Sequence, residues 1–241
     1  DGEISKILES ESRKLNIHHE KLISDIRKQK GAHYDETGWK VQLEELGSFA
    51  WVMTGTESTD TAFLLGRTRG KGNAEELKGN NIKQVGISDD YGAYRNLFEK
   101  HQLCWAHPLR KLRDLAGSDL LTTEAQNRCR ESYARFASLY RTLLDELQKP
   151  FDVAERRAIR NKLKETLLEV AKPHPSDPHK LRTMKESVRK QADAYLTCLT
   201  HDGIPPNSNK AERALRHLVL KRKTSFGSKT QRGAETTQIL A

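Results

Sequence analysis

His33-Tyr34-Asp35-Glu36-Thr37-Gly38-Trp39-Lys40-Val41-Gln42-Leu43 is where the hydrophobic period of the chain changes. Before it, residues 3–30 place Ile4, Ile7, Leu8, Leu15, Leu22, Ile23 and Ile26 at helical spacing among many charges, which reads as an amphipathic connecting helix. From His33 the apolar residues come in short runs instead. His33 to Leu43 reads as a strand with an early polar bend. Phe49-Ala50-Trp51-Val52-Met53 reads as a second strand and Thr61-Ala62-Phe63-Leu64-Leu65 as a third. The turn residues Gly47-Ser48 and Gly55-Thr56 between them allow an antiparallel meander.

Further along, Asn73 is placed to cap a short helix through Leu77, with Glu75 and Glu76 in its first turn. Ile82 to Ser88 reads as a fourth strand, Tyr91 to Lys100 as a helix, and Leu103-Cys104-Trp105-Ala106 as a fifth strand. A basic helix follows from Pro108 to Leu115. The order β-β-β-α-β-α-β-α predicts an α/β, ribonuclease H-like fold: a mixed five-stranded sheet with flanking helices. Residues 118–200 change character. Glu124–Leu147, Asp152–Val170 and Lys180–Leu199 read as three helices, broken at Lys149-Pro150 and at the proline-rich Lys172–Pro178. This predicts an all-helical insertion. Pro205-Pro206-Asn207-Ser208-Asn209 is a stiff turn with Asn209 placed to cap a helix over Lys210–Leu220. Lys221-Arg222-Lys223-Thr224-Ser225-Phe226-Gly227-Ser228-Lys229 is basic and reads as flexible. The expected organisation is a connector (1–30), a first core segment (31–117), the insertion (118–200) and a last core segment (201–241).

The formal net charge of +9 suggests a polyanionic partner, and nucleic acid is the usual one. Cys104, Cys129 and Cys198 form no Cys-x-x-Cys pair, which argues against a zinc site and suits a reducing cytoplasm. No apolar run approaches the roughly 20 residues of a membrane span. The first and last residues read as cuts in a longer protein.

Three carboxylates stand at the edges of different elements: Asp35 within strand one, Asp89 at the end of strand four, and Glu212 in the first turn of a basic helix. Alone, Asp35 reads as a strand-edge hydrogen-bonding group, Asp89-Asp90 as a turn and Glu212 as a first-turn acid. If strands one and four pair, Asp35 and Asp89 become neighbours. Three such groups brought together can hold two Mg²⁺ or Mn²⁺ ions that activate water or a 3′-OH against a phosphodiester. Alternation sends Glu36 to the opposite sheet face. Asp90 is expected to face solvent or cap the helix near Tyr91. Trp39, Trp51 and Trp105 read as core.

Asp35-Glu36-Thr37-Gly38-Trp39, Ser88-Asp89-Asp90-Tyr91-Gly92-Ala93-Tyr94, Cys104-Trp105-Ala106-His107 and Ala211-Glu212-Arg213-Ala214-Leu215-Arg216 resemble, in order and spacing, the insertion-sequence-66 family of DDE transposases. Arg222-Lys223 and Gly233-Ala234-Glu235 fit as well, so the resemblance covers residues 31–241. It implies a catalytic triad of Asp35, Asp89 and Glu212 binding two Mg²⁺ (or Mn²⁺), which cleaves transposon ends and transfers strands. It also implies DNA contacts from Arg213, Arg216, Lys221, Arg222, Lys223 and Lys229, a homo-oligomer assembled on DNA, and no membrane. The sequence departs from the family pattern twice. Asp90 stands where Gly is usual, and Asn207-Ser208-Asn209 where Asp-Asn-Asn is usual. A structure-selective nuclease of the same fold, or a DNA-binding remnant without activity, are the alternatives.

Overall fold

The computed structural model describes residues 2–43 and 48–241. Gly47 of the expected turn lies outside the described residues. Helix α1 (Gly2–Lys28) leads into the meander β1 (Gly31–Gly38), β2 (Phe49–Gly55) and β3 (Thr61–Arg67). Then come α2 (Lys71–Lys78), β4 (Val85–Ser88), β5 (Lys100–Leu103) and α3 (Ala106–Ala116). The helices α4 (Thr123–Gln148), α5 (Val153–Val170) and α6 (His179–Lys190) follow, and α7 (Asn209–Ser225) and α8 (Gln231–Leu240) end the chain. The strand order is β3-β2-β1-β4-β5. Antiparallel pairing joins β1 to β2 and β2 to β3, while β1 and β4 run parallel. This is the mixed, ribonuclease H-like sheet that the element order predicts, with a helical segment inserted before Glu212. The chain divides into two compact units, one made of the residues up to His101 together with Ser208–Ala241, the other of Gln102–Asn207.

Strand alternation gives the sheet two apolar faces. On one, Tyr34, Trp51, Met53 and Leu64 pack with Ile26, Leu77, Tyr94 and Phe98. On the other, Val52, Phe63 and Leu65 pack with Trp39 and with Ala211, Leu215 and Leu218 of α7. Positions 211, 215 and 218 follow the i, i+4, i+7 rule, so α7 has one apolar seam and can lie on the sheet in one rotation only. All three tryptophans are buried, as the sequence predicts.

Several local expectations are corrected. Tyr91–Lys100 is not a helix. It holds one 3₁₀ turn at Gly92–Tyr94, and Asn96 takes φ 56°, a left-handed conformation that stops helical propagation. The fifth strand therefore starts earlier, at Lys100. The helix expected over Lys180–Leu199 ends at Lys190 and a 3₁₀ segment follows at Ala194–Leu199. Tyr195, Leu196, Cys198 and Leu199 are all buried there, and near-consecutive apolar residues do not fit one α-helical stripe. Asn73 does not cap α2. It lies inside the helix and donates to the Thr68 carbonyl, while Gly70 precedes the first turn. Asn209 is the first residue of α7 rather than its cap. The basic stretch expected to be flexible is helical through Ser225.

The end of α7 is fixed by backbone geometry. Phe226 is left-handed at φ 58° and Gly227 follows at φ 102°. The turn returns the chain to the segment after β1, where Ser228 N–H donates to the Lys40 carbonyl and Gln42 N–H to the Ser228 carbonyl, both at 2.9 Å. A Cβ on Gly227 would sit 2.1 Å from the Lys40 oxygen. Gly227→Ala is therefore expected to lower the unfolding free energy by about 1–3 kcal/mol in urea titrations. Gly72→Ala, in open space within α2, is expected to raise it by roughly 0.5–1 kcal/mol.

Candidate active site

Asp35 belongs to the sheet face that α7 covers, because it pairs with Val52 and Val52 packs on the α7 seam. Parallel pairing sets Gly31, Ala32 and His33 opposite Val85, Gly86 and Ile87. Two residues further in the same register, Asp35 stands level with Asp89, where β4 has just ended. Glu212 follows the buried Ala211 and is half-buried at the start of α7. Lys210 Nζ donates to the carbonyls of Gly55 and Ser58, tying the start of α7 to the β2–β3 turn. Arg222 donates to the Gly38 carbonyl and to Thr37 Oγ1, tying its last turns to the end of β1.

The charges of Asp89 and Glu212 both act on Asp35. Desolvation pushes the Asp35 carboxyl up to about 7, and the charges of Glu36, Asp89 and Glu212 add to the rise, against one stabilising bond from the Glu36 N–H. That bond is 2.9 Å long at Asp35 Oδ1, and Asp89 Oδ1 accepts the Tyr91 N–H at 2.9 Å. Among the described residues, no three His, Cys, Asp or Glu side chains are gathered closely enough to hold a metal ion as they stand. The donor set still suits a hard divalent cation, since all three groups offer carboxylate oxygens and a cation would offset the desolvation and repulsion at Asp35.

Glu36 points to the other face, as alternation predicts. Its carboxylate, only 5% exposed, accepts from Arg69 at 2.9 Å and from the Tyr94 hydroxyl at 2.7 Å. Arg69 lies 4.1 Å from the Tyr91 ring centroid, and the Tyr91 hydroxyl donates to the Arg69 carbonyl. The two tyrosines that follow Asp89-Asp90 are thus fastened to β1 through Glu36. On the opposite strand, His101 Nε2 is 2.8 Å from Ser88 Oγ, which donates to the Asp89 carbonyl. Burial pushes His101 down to about 4, which leaves the ring neutral, and because Ser88 spends its proton on the Asp89 carbonyl its oxygen is left to accept from Nε2. Asp90 does not cap the following turn. Asp89 takes that N–H, and Asp90 accepts from Arg95 Nε at 3.1 Å. At the other departure from the family pattern, Asn207 Nδ2 donates to the Tyr140 hydroxyl at 3.4 Å, which an aspartate could not do.

His33 was not singled out in the sequence, yet it shares the face of Asp35 two residues before it. It is 3% exposed and its Nδ1 has no partner among the described residues. Burial first, then Lys210 and Arg213, push it down to about 4. The signal was its parity with Asp35, but parity alone does not mark chemistry. The basic residues expected to meet DNA divide into two groups. Arg213, Arg216, Lys221, Lys223 and Lys229 are exposed, whereas Arg222 is partly buried and bonded to β1.

The chain matches the family model described as Transposase IS66 family over residues 2–236. It belongs to that family. The match begins at residue 2, so α1 lies inside the family domain together with the segment that carries the motifs. No curated protein matches the chain, and no solved structure does. Family membership supports a transposase-type function and implies a DNA substrate. Among the described residues no helix is long and apolar enough to cross a membrane.

Two outcomes follow from the electrostatics. With divalent cations chelated, Asp35→Asn is expected to be more stable than wild type at pH 8, by about 1–3 kcal/mol. A carboxyl whose folded pKa is raised stabilises the fold below the unfolded pKa and loses that contribution as pH rises to about 7. The difference should therefore shrink as pH falls from 7 towards 4 in thermal melts. Tyr94→Phe leaves Glu36 without one buried donor and should cost about 1–2 kcal/mol by the same measurement.

Proposed function

We propose that the chain is the catalytic core of a DDE transposase that cleaves transposon ends and joins them to target DNA by transesterification. The observation that carries this reading is that the β1–β4 register sets Asp35 level with Asp89, on the sheet face covered by α7, whose first turn holds Glu212. The neighbouring acids at the β4 end and on α7 do nothing for the stability of the desolvated Asp35, since their charges raise its energy. Asp35, Asp89 and Glu212 would hold two Mg²⁺ or Mn²⁺ ions. Divalent cations, when bound, supply Lewis-acid activation of water or a 3′-OH and neutralise charge on the phosphodiester.

The remaining groups have positioning and binding roles. Glu36, Tyr94 and Arg69 hold the Asp89 loop against β1 from behind. His101 and Ser88 fix the Asp89 carbonyl. Arg213, Arg216, Lys221, Lys223 and Lys229 present charge to DNA phosphates. Arg222, bonded to Gly38, acts through the placement of α7, a revision of its expected role as a phosphate contact. The assembly on DNA is proposed to be a homo-oligomer.

The test is cleavage of DNA carrying a transposon end in Mg²⁺ or Mn²⁺. Asp35→Asn, Asp89→Asn and Glu212→Gln should each abolish nicking while DNA binding persists. Full nicking by any one of them removes that residue from the triad. Joining of the nicked end to a second DNA separates a transposase from a nuclease, and no metal-dependent nicking by wild type leaves a DNA-binding remnant. In binding titrations, Lys221→Ala with Lys223→Ala should flatten the slope of log K against log salt by about 1–2. Arg222→Ala should instead lower the melting temperature.

A further inference from the structure

The helical unit contains a polar group that its fold does not satisfy. Arg156, in the first turns of α5, is 4% exposed. Its Nη2 donates to the Lys149 carbonyl at 2.8 Å and its guanidinium lies 5.9 Å from the Phe151 ring centroid. Its Nη1 has no partner among the described residues, and no carboxylate there is within ion-pair distance of it. A buried guanidinium without a counter-ion is strongly unfavourable, so such a group signals an anion that arrives from outside.

Arg156 lines a cavity of about 350 Å³ whose walls include Leu147, Phe151, Ile204, Pro205 and Pro206, all in the same unit. The wall carries one carboxylate, Asp202. A second cavity of about 390 Å³ is lined by Arg157, Arg160, Asn161, Thr200 and His201, which adjoin the first set in sequence. Arg157 is exposed and has no ion-pair partner among the described residues. Two adjacent arginines without counter-ions, one above an apolar wall, match a strand that carries regular phosphates and flat apolar bases. A cavity of about 350 Å³ is of the size that takes one small ligand, such as a single nucleotide.

We propose that this pocket binds a nucleotide at a strand end or an unpaired position of DNA. Its phosphate lies at Arg156 and its base against Phe151, Pro205 and Pro206. The proposal rests on the reading of the chain as DNA-acting, but not on its catalytic triad.

The test uses the full chain with chelator present, so that cleavage plays no part. The probe is a fluorescent, 5′-phosphorylated single-stranded oligonucleotide followed by anisotropy, with a blunt duplex of the same sequence beside it. Arg156→Gln and Leu147→Trp should each weaken single-strand binding by about 5- to 30-fold and leave duplex binding within about twofold. Circular dichroism melts check the fold of each variant. Leu147→Trp fills the cavity while keeping the guanidinium, and it decides alone if Arg156→Gln does not fold. Unchanged single-strand binding in both variants, or an equal loss of duplex binding, overturns the proposal. So does a polyglutamate peptide that displaces the oligonucleotide from wild type, because the pocket would then select carboxylates. Absence of metal-dependent nicking by wild type in a separate assay, with this binding intact, would sink the catalytic reading and leave the pocket standing.

Discussion

The seam of α7 against the sheet is the constraint on which the rest depends. Ala211, Leu215 and Leu218 pack with Val52, Phe63 and Leu65 on the sheet face of Asp35, and Glu212 stands next to this seam in the first turn of α7. Burial of these side chains supplies on the order of 1.5–3 kcal/mol for each large one. That favourable term opposes the repulsion among the acids. The ties at Lys210 and Arg222 remove the remaining freedom to slide, and the left-handed turn at Phe226-Gly227 ends the helix where β1 can receive it. Apolar packing, not attraction among the acids, therefore sets where α7 carries Glu212.

The Asp89 side of the corner is built differently. Asp89 lies just past the end of β4, where no ladder holds it, so its position depends on side chains. Tyr91 and Tyr94 reach behind β1 to Arg69 and Glu36, and His101 reaches through Ser88. The second acidic motif thus reads as an acid followed by its anchors. Asp90, where the family usually has glycine, has found Arg95 as a partner, so the extra acid is absorbed without entering the corner.

Much of this was legible in the sequence because it depends on period. The meander and the opposite orientations of Asp35 and Glu36 follow from alternation and element order, whereas the pairing of β1 with β4 enters the sequence reading only as a condition. The long helices α4 and α5 follow from uninterrupted helical spacing between prolines. What period cannot show is tertiary satisfaction. Tyr91–Lys100 has helical composition, yet the loop is set by where Tyr94 and Leu97 must be buried and by a left-handed Asn96. Gln102, fully buried, accepts the Cys198 N–H and donates to the Tyr195 carbonyl, which accompanies the change of α-helix to 3₁₀ at Ala194–Leu199. Arg222 and Lys210 are both legible as cations, but neither as one turned inward onto backbone carbonyls. His33 carried no signal beyond its parity.

The central claim is that apolar packing forces Asp35, Asp89 and Glu212 into one corner so that divalent cations can hold them there. A crystal structure of the chain grown with Mn²⁺, read by anomalous scattering, tests this most directly. The account predicts two manganese peaks about 3.5–4 Å apart, contacted by carboxylate oxygens of all three residues. Glu212 turned away from Asp35, or manganese bound only elsewhere on the chain, would contradict it.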